Sequence, residues 1–112
     1  MSMSEGLRCC EETSRVLLKN LYEKSHDSVY VERCASCGAS WFHRWHEMID
    51  FDGGDDSMTD WYTRITEEEC RTLVSANGPV DFGFLGLGKR PALCIDEQGT
   101  REVVGQPEHS WT

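Results

Sequence analysis

Two cysteines and a glycine form the strongest chemical motif in the chain, Cys34-x-x-Cys37-Gly38. Two thiolates separated by two residues can bind one tetrahedral zinc ion, and the glycine lets the backbone turn back around the metal. A structural zinc takes four protein ligands, so this motif supplies half of a site. The expected second pair is Cys9 and Cys10, although a ribbon normally carries C-x-x-C there. The sequence therefore predicts one structural zinc bound by Cys9, Cys10, Cys34 and Cys37.

Other ligands and other uses of the cysteines are alternatives to this site. A Cys-x-x-Cys motif also performs dithiol exchange when it begins a helix after a strand, but residues 38–51 alternate in the manner of a strand. Simple burial is the third interpretation, and it is the one we expect for Cys70 and Cys94. A histidine could replace one of the two adjacent cysteines as the fourth ligand, from three candidates: His26, His43 and His46.

The histidine-rich run after the cysteine motif invites a catalytic interpretation. His43 with Glu47, or His46 with Asp50, would supply a base and an orienting carboxylate on one strand face. The chain has no serine in a nucleophile elbow, no H-E-x-x-H and no glycine-rich phosphate loop. We therefore predict a protein that is not an enzyme.

One segment holds nearly all of the excess negative charge. The 112 residues include 20 acidic and 11 basic side chains, for a net charge of −9, and in residues 47–69 the only basic one is Arg64. Nonspecific nucleic-acid binding depends on Lys and Arg, so this balance argues against it and favours a basic protein partner. A calcium loop starting at Asp50 is a less favoured alternative, because Trp61 occupies the twelfth position, where an EF-hand needs Glu. The residues that we expect to contact the partner are Asp52, Asp55, Asp56, Asp60, Trp61 and Tyr62.

Two predicted helices and several strands must position these residues. Val16, Leu17, Leu21 and Tyr22 have helical spacing, which predicts a first helix that starts near residue 13 and ends near residue 25. A capping box of Thr66 and Glu69 predicts the start of a second helix, which Asn77-Gly78-Pro79 would end. Strands are predicted over residues 29–33 and 40–51 around the cysteine turn, over 61–65, and over 92–96 and 100–104 as a C-terminal hairpin.

These elements predict an α+β fold, a small zinc-ribbon-like domain with two helices and short antiparallel β-hairpins. The expected organisation is one domain over residues 1–112, with flexible ends at 1–12 and 105–112. The N-terminus lacks the basic start and apolar run of a secretory signal, and no apolar stretch approaches the ~20 residues that span a bilayer. A reducing cytoplasm is the predicted compartment.

A longer pattern runs from Cys34 to Glu69. The cysteine motif is followed by Trp41, His46-Glu47, an Asp/Gly-rich loop, Trp61-Tyr62, Ile65-Thr66 and a glutamate-rich helix start. In these residues the chain resembles small uncharacterised bacterial proteins, some of which are similar to immunity proteins of polymorphic toxin systems. The resemblance implies a cytoplasmic protein that binds and blocks a cognate toxin. The runner-up hypothesis is a zinc-ribbon adaptor in a transcription or modification complex.

Overall fold

The computed structural model describes residues 14–24, 26–48, 57–76 and 82–105. They form a six-stranded antiparallel sheet whose strand order follows the chain order, with one α-helix between the fourth and fifth strands. The strands are Arg15–Lys24 (β1), Asp27–Cys34 (β2), Ser40–Met48 (β3), Ser57–Ile65 (β4), Pro91–Asp96 (β5) and Gly99–Val104 (β6). The helix is Glu67–Ser75 (α1), and two 3-10 turns cover Gly83–Leu85 and Leu87–Lys89.

This architecture is mainly β, so the prediction of an α+β, zinc-ribbon-like domain with two helices is wrong. The predicted second helix is confirmed, because Thr66 and Glu69 form the expected reciprocal capping box at the start of α1. The C-terminal hairpin is confirmed as β5 and β6. The predicted first helix is the error, since those residues form β1.

Two β-bulges explain why β1 has the apolar spacing of a helix. The pairing of β1 with β2 skips Leu18 and Leu21, the extra residues of the two bulges. Leu18 and Lys19 therefore lie on the same side of the sheet, and so do Leu21 and Tyr22. Leu18, Leu21 and Tyr22, which are three and four residues apart, therefore face the same side of the sheet. In a strand without bulges, only every second side chain would face that side. The apolar residues of β1 thus have the spacing of a helix, although the backbone is extended.

One side of the sheet, which we call the helix face, carries the main apolar core. Val29 and Phe42 lie there by register, and Cys70 and Leu73 of α1 pack onto them. Burial of Cys70 confirms its predicted role as a packing residue, and Cys94 of β5 is likewise buried. Lys19 reaches from β1 to donate to the carbonyls of the last turn of α1, which has no basic residue of its own.

The guanidinium of Arg90 joins the ends of three elements. It makes a two-pronged contact with the Glu69 carboxylate of α1, at 2.8 and 3.1 Å, and donates to the carbonyls of Leu85 and Arg64 at 3.0 and 2.8 Å. Partial burial opposes ionisation of Glu69, but the hydrogen bonds from Arg90 and Thr66 outweigh it and lower the pKa of that carboxyl. The helix start, the 3-10 turn and the end of β4 are thus held by one cation.

Two further expectations concern the ends of the chain and the presence of membrane-spanning helices. The predicted flexible segment 1–12 lies outside them, as does 106–112. Within them, no helix is long and apolar enough to cross a membrane.

Replacement of the buried helix residue tests the packing of α1 on the sheet. Leu73 is fully buried and its neighbour Val74 is 39% exposed. We expect Leu73→Ala to lower the free energy of unfolding by about 2–5 kcal/mol, because it removes buried apolar atoms and leaves a cavity in the core. Val74→Ala is the control and should change it by less than about 1 kcal/mol. Urea unfolding measures both, and equal losses would contradict the packing of Leu73 against the sheet.

Candidate functional site

A histidine between two carboxylates lies on the side of the sheet opposite α1, which we call the His43 face. His43 of β3 contacts Glu32 of β2 through Nδ1, at 2.9 Å, and Asp60 of β4 through Nε2, at 2.6 Å. Neither carboxylate lies directly opposite His43 in the register; each pairs with a residue two positions away, Trp41 or Trp45. The contacts are therefore diagonal cross-strand contacts that tie three neighbouring strands together.

The two carboxylates determine the protonation of the ring. A carboxylate accepts hydrogen bonds, so both ring nitrogens donate when both contacts are made, which requires the imidazolium form. Burial of the ring opposes that charge, but the hydrogen bonds and charges of Asp60 and Glu32 outweigh burial and raise the pKa of His43 above its ordinary 6.5. The site holds a cation between two anions across the centre of the sheet.

Aromatic rings cover this ion cluster. Tyr62 of β4 stacks on the His43 ring, with the ring centroids 4.1 Å apart and the ring planes 18° from parallel. Tyr30 of β2 lies beside the same ring, with its centroid 5.5 Å from that of His43. The guanidinium of Arg15 lies over the rings of Tyr62 and Trp41, at 4.1 and 4.8 Å. Burial, followed by the negative charges of Asp60 and Glu32, raises the pKa of Tyr62 to about 12. The phenol consequently stays protonated through the physiological range.

The geometry favours a structural charge cluster over a general base. A general base needs an unprotonated nitrogen that faces the substrate, whereas both nitrogens of His43 contact carboxylates. The carboxylates also lie on opposite edges of the ring, so they do not converge with it on a single ion. Throughout the described part of the chain, no group of three or more histidine, cysteine or acidic side chains is arranged to bind a metal.

The described part of the predicted partner surface divides between the two faces of the sheet. Successive side chains of a strand point to opposite faces, so Trp61 lies on the helix face while Asp60 and Tyr62 lie on the His43 face. Asp60 contacts His43, and the guanidinium of Arg44 lies over Trp61 at 4.9 Å. These three residues do not form one surface. Asp52, Asp55 and Asp56 lie outside the described residues.

The cysteine motif lies at the turn between β2 and β3. The turn is closed by hydrogen bonds from Cys34 N to Ala39 O and from Gly38 N to Cys34 O, both 2.8 Å, and Gly38 takes the left-handed φ of +81° that favours glycine. Cys34 is buried beside Trp41, and Cys37 is exposed. A strand follows this turn, whereas the motif of dithiol oxidoreductases begins a helix.

The position of β1 bears on the expected second pair of zinc ligands. The carbonyl of Ser14 accepts a hydrogen bond from Ala35 N at 2.8 Å, so the chain enters the sheet beside the cysteine turn, four residues after Cys10. Cys9 and Cys10 themselves lie outside the described residues. The four-cysteine zinc site stays a prediction.

The alternative histidine ligands have carboxylate contacts. His26 contacts Glu47 at 3.0 Å and His46 lies 3.4 Å from Asp27. The carboxylates differ from the ones that spacing along β3 suggested, because cross-strand neighbours are closer than residues four apart on one strand. The Glu32 and Asp60 contacts of His43 could have been found only from the strand register, since the sequence places them on separate strands without a shared motif.

Comparison with known protein families, with curated protein sequences and with solved structures finds no match to this chain. The resemblance to immunity proteins therefore stays a hypothesis.

The pH dependence of stability tests the His43 cluster. Because the folded state raises the pKa of His43, the stabilisation is complete below 6.5 and is lost as the pH rises through the folded-state value. We expect His43→Gln to lower the free energy of unfolding by about 1.5–3 kcal/mol at low pH and by less at high pH. Urea unfolding across the pH range measures this, with His26→Gln as the control on an exposed pair. A pH-independent loss would contradict the imidazolium.

Native mass spectrometry tests the zinc prediction directly. Protein purified anaerobically without a metal-binding tag should carry one zinc ion, which Cys34→Ala and the double variant Cys9→Ala/Cys10→Ala should both lose. Cys94→Ala, a change at a buried thiol on another strand, should retain it. A folded wild type without metal would contradict the prediction.

Proposed function

We propose that this chain is a noncatalytic protein-binding module whose acidic end occupies a basic surface of its partner, as an immunity-type inhibitor of a basic toxin would. The observation that carries the proposal is the topology of the sheet. In an antiparallel meander, alternate connections lie at the same end, so residues 25–26, 49–56 and 97–98 connect strands at one end of the sheet. We call this the acidic end.

The sequence of the longest of these connections supports the proposal. Residues 49–56 join β3 to β4, and the residues that flank this segment, Met48 and Ser57, are paired in the register. The segment includes Asp50, Asp52, Asp55 and Asp56 and no basic residue, so it contains nothing to neutralise its own charge. Like charges concentrated at one end of a protein steer a partner of opposite charge.

Several acids elsewhere in the described residues contact the chain's own cations. Glu32 and Asp60 contact His43, Glu69 contacts Arg90, and Arg101 contacts Asp96 at 2.8 Å. Because Asp60 contacts His43, it is not part of the proposed interface.

An apolar side chain adjoins the acidic connection. Met58 is the second residue of β4, pairs with Glu47 in the register and is 52% exposed. Methionine is enriched at protein interfaces, where an apolar anchor surrounded by charges excludes water from the contacts. Met58 is the anchor that the proposed interface would use.

The chemistry of the His43 cluster supports a noncatalytic role, because its polar atoms contact one another. The cytoplasm remains the proposed compartment, and the zinc at the cysteine turn would contribute to folding. The adaptor hypothesis predicts a different set of partners, and the experiment below separates the two.

Removal of two charges from the acidic connection tests the proposal. The partner is captured by cross-linking from the native host and identified by mass spectrometry, and its affinity is then measured by calorimetry at low and high salt. We expect Asp55→Asn/Asp56→Asn to weaken binding about tenfold, because each residue contributes on the order of 0.7 kcal/mol. Wild-type affinity should also fall with salt.

The control removes the same charge at the other end of the sheet. Glu67→Gln/Glu68→Gln in the first turn of α1 should leave the affinity within about twofold of wild type, since α1 lies away from the acidic end. An acidic partner, or an affinity that neither salt nor the aspartate changes affect, would contradict the proposal. Capture of a multisubunit housekeeping assembly in place of one basic protein would favour the adaptor.

A further inference from the structure

A groove on the helix face lies over β4, β5 and β6. α1 packs mainly against β1, β2 and β3, so the groove lies outside the area that the helix covers. It encloses about 470 Å³, which is within the range of small-molecule sites. Its lining includes an aromatic ring, a thiol, an ion pair and two glycines: Trp61, Cys94, Asp96, Arg101, Gly88 and Gly105.

The indole of Trp61 is held by the strands on both sides of β4. Trp61 pairs with Arg44 of β3 and with Cys94 of β5 in the register. The guanidinium of Arg44 lies over the indole, 4.9 Å from the ring centroid, and its Nε is 3.5 Å from a carboxylate oxygen of Asp27. Burial raises the pKa of the Cys94 thiol, so this neighbour stays neutral at physiological pH. The ring is therefore positioned before a ligand arrives, which lowers the cost of binding.

Two glycines close one end of the groove through a direct backbone contact. Gly105 follows β6 with a φ of +83°, and its N–H donates to the carbonyl of Arg90 at 2.8 Å. A Cβ atom at position 105 would lie 2.5 Å from the carbonyl oxygen of Gly88, so only glycine lets the 3-10 turn approach the end of β6. The wall of the groove is consequently set by the backbone.

An ion pair between β5 and β6 supplies the polar groups. Arg101 Nη1 donates to Asp96 Oδ1 at 3.1 Å, and Arg101 Nη2 lies 2.8 Å from Asp96 Oδ2. This end-on contact uses the two terminal nitrogens of the guanidinium. The second edge, formed by Nε and the outer hydrogen of one terminal nitrogen, can donate to two adjacent acceptors. The Arg101 side chain is 50% exposed, which makes it accessible to a ligand.

The charges around Trp61 restrict the kind of ring that can stack on it. Two guanidiniums, those of Arg44 and Arg101, disfavour a cationic ring, and the carboxylate of Asp96 disfavours an anionic group at the Arg101 edge. The net charge of −9 disfavours a polynucleotide. These charges favour an uncharged ring with two adjacent acceptors. The O6 and N7 atoms of guanine and hypoxanthine have this arrangement, which arginine binds with two parallel hydrogen bonds.

We propose that this groove binds the base of an uncharged 6-oxopurine nucleoside. The base stacks on Trp61, and its O6 and N7 atoms accept hydrogen bonds from the second edge of Arg101. Asp96 is a positioning residue that holds the guanidinium. The site lies on the strands β4 to β6 and does not include residues 49–56, so it is separate from the proposed partner interface.

Calorimetry with four nucleosides tests the proposal on the wild-type protein. Guanosine and inosine both carry O6 and N7, and we expect their affinities to agree within about threefold. 7-Deazaguanosine lacks the N7 acceptor and should bind about fivefold more weakly than guanosine. Adenosine should bind at least about tenfold more weakly, because its N6 amino group donates where O6 accepts. Equal affinities for guanosine and adenosine would overturn the proposal, and so would a failure to bind guanosine at about 1 mM.

Variants of Arg101 test the hydrogen-bonding edge. Arg101→Lys keeps the charge and removes the planar fork, so the preference for guanosine over adenosine should fall to within about twofold. Arg71→Lys, the same change on α1, should retain the wild-type preference. An undiminished preference in Arg101→Lys would contradict the assignment of the edge.

A second pair of variants tests the stacking. Trp61→Leu should weaken all four nucleosides at least about tenfold, whereas Trp45→Leu, which pairs with Asp60 on the His43 face, should not. Should Trp61→Leu fail to fold, the indole N–H resonance of Trp61 in the wild type tests the same contact. It should shift when guanosine is added, and shifts confined to β1 and β2 would contradict the site.

One further variant separates this site from the proposed protein interface. Asp55→Asn/Asp56→Asn should leave the affinity for guanosine unchanged, although it weakens binding of the basic partner. A loss of guanosine binding in this variant would place the base at the acidic end and overturn the inference.

Discussion

The contact of one imidazolium with two carboxylates organises the centre of the molecule. His43 lies on the third of six strands and contacts carboxylates on both neighbours, so a register slip in either pairing would separate the ion pairs. A slip by one residue would also move the histidine to the opposite face, into the apolar core. Burying three ionised groups is costly, and their mutual contacts together with the stacked Tyr62 ring offset that cost. We infer that the cluster selects the pairing register of β3 with β2 and β4, in addition to stabilising the fold.

The two faces of the sheet are therefore held by different forces. On the helix face, Phe42 and Leu73 are removed from water, and Arg90 fixes the ends of the elements that enclose them. On the His43 face, cations and aromatic rings alternate, with Arg15 over Trp41 and Tyr62. A single layer of strands can carry both kinds of packing because its side chains alternate.

The meander topology also decides which connections share one end of the sheet. Residues 49–56, which include four aspartates, connect β3 to β4 at one end, while Arg33, Arg90 and the three glutamates in the first turn of α1 lie near the other end. Arg90 and Glu69 pair at the second end, whereas the aspartate segment contains no basic residue of its own.

Local sequence determined the elements whose signals are contained within a few residues. The capping box at Thr66 and Glu69, the cysteine turn with Gly38, and the β5–β6 hairpin were all predictable because the groups that stabilise them are close in the chain. Only the tertiary structure decided β1, whose two bulges gave a strand the apolar spacing of a helix. It also decided the neighbours of His43, since Glu32 and Asp60 meet it through pairing of distant strands. The physical reason is the same in both cases: strand register depends on non-local contacts, which no spacing along one segment encodes.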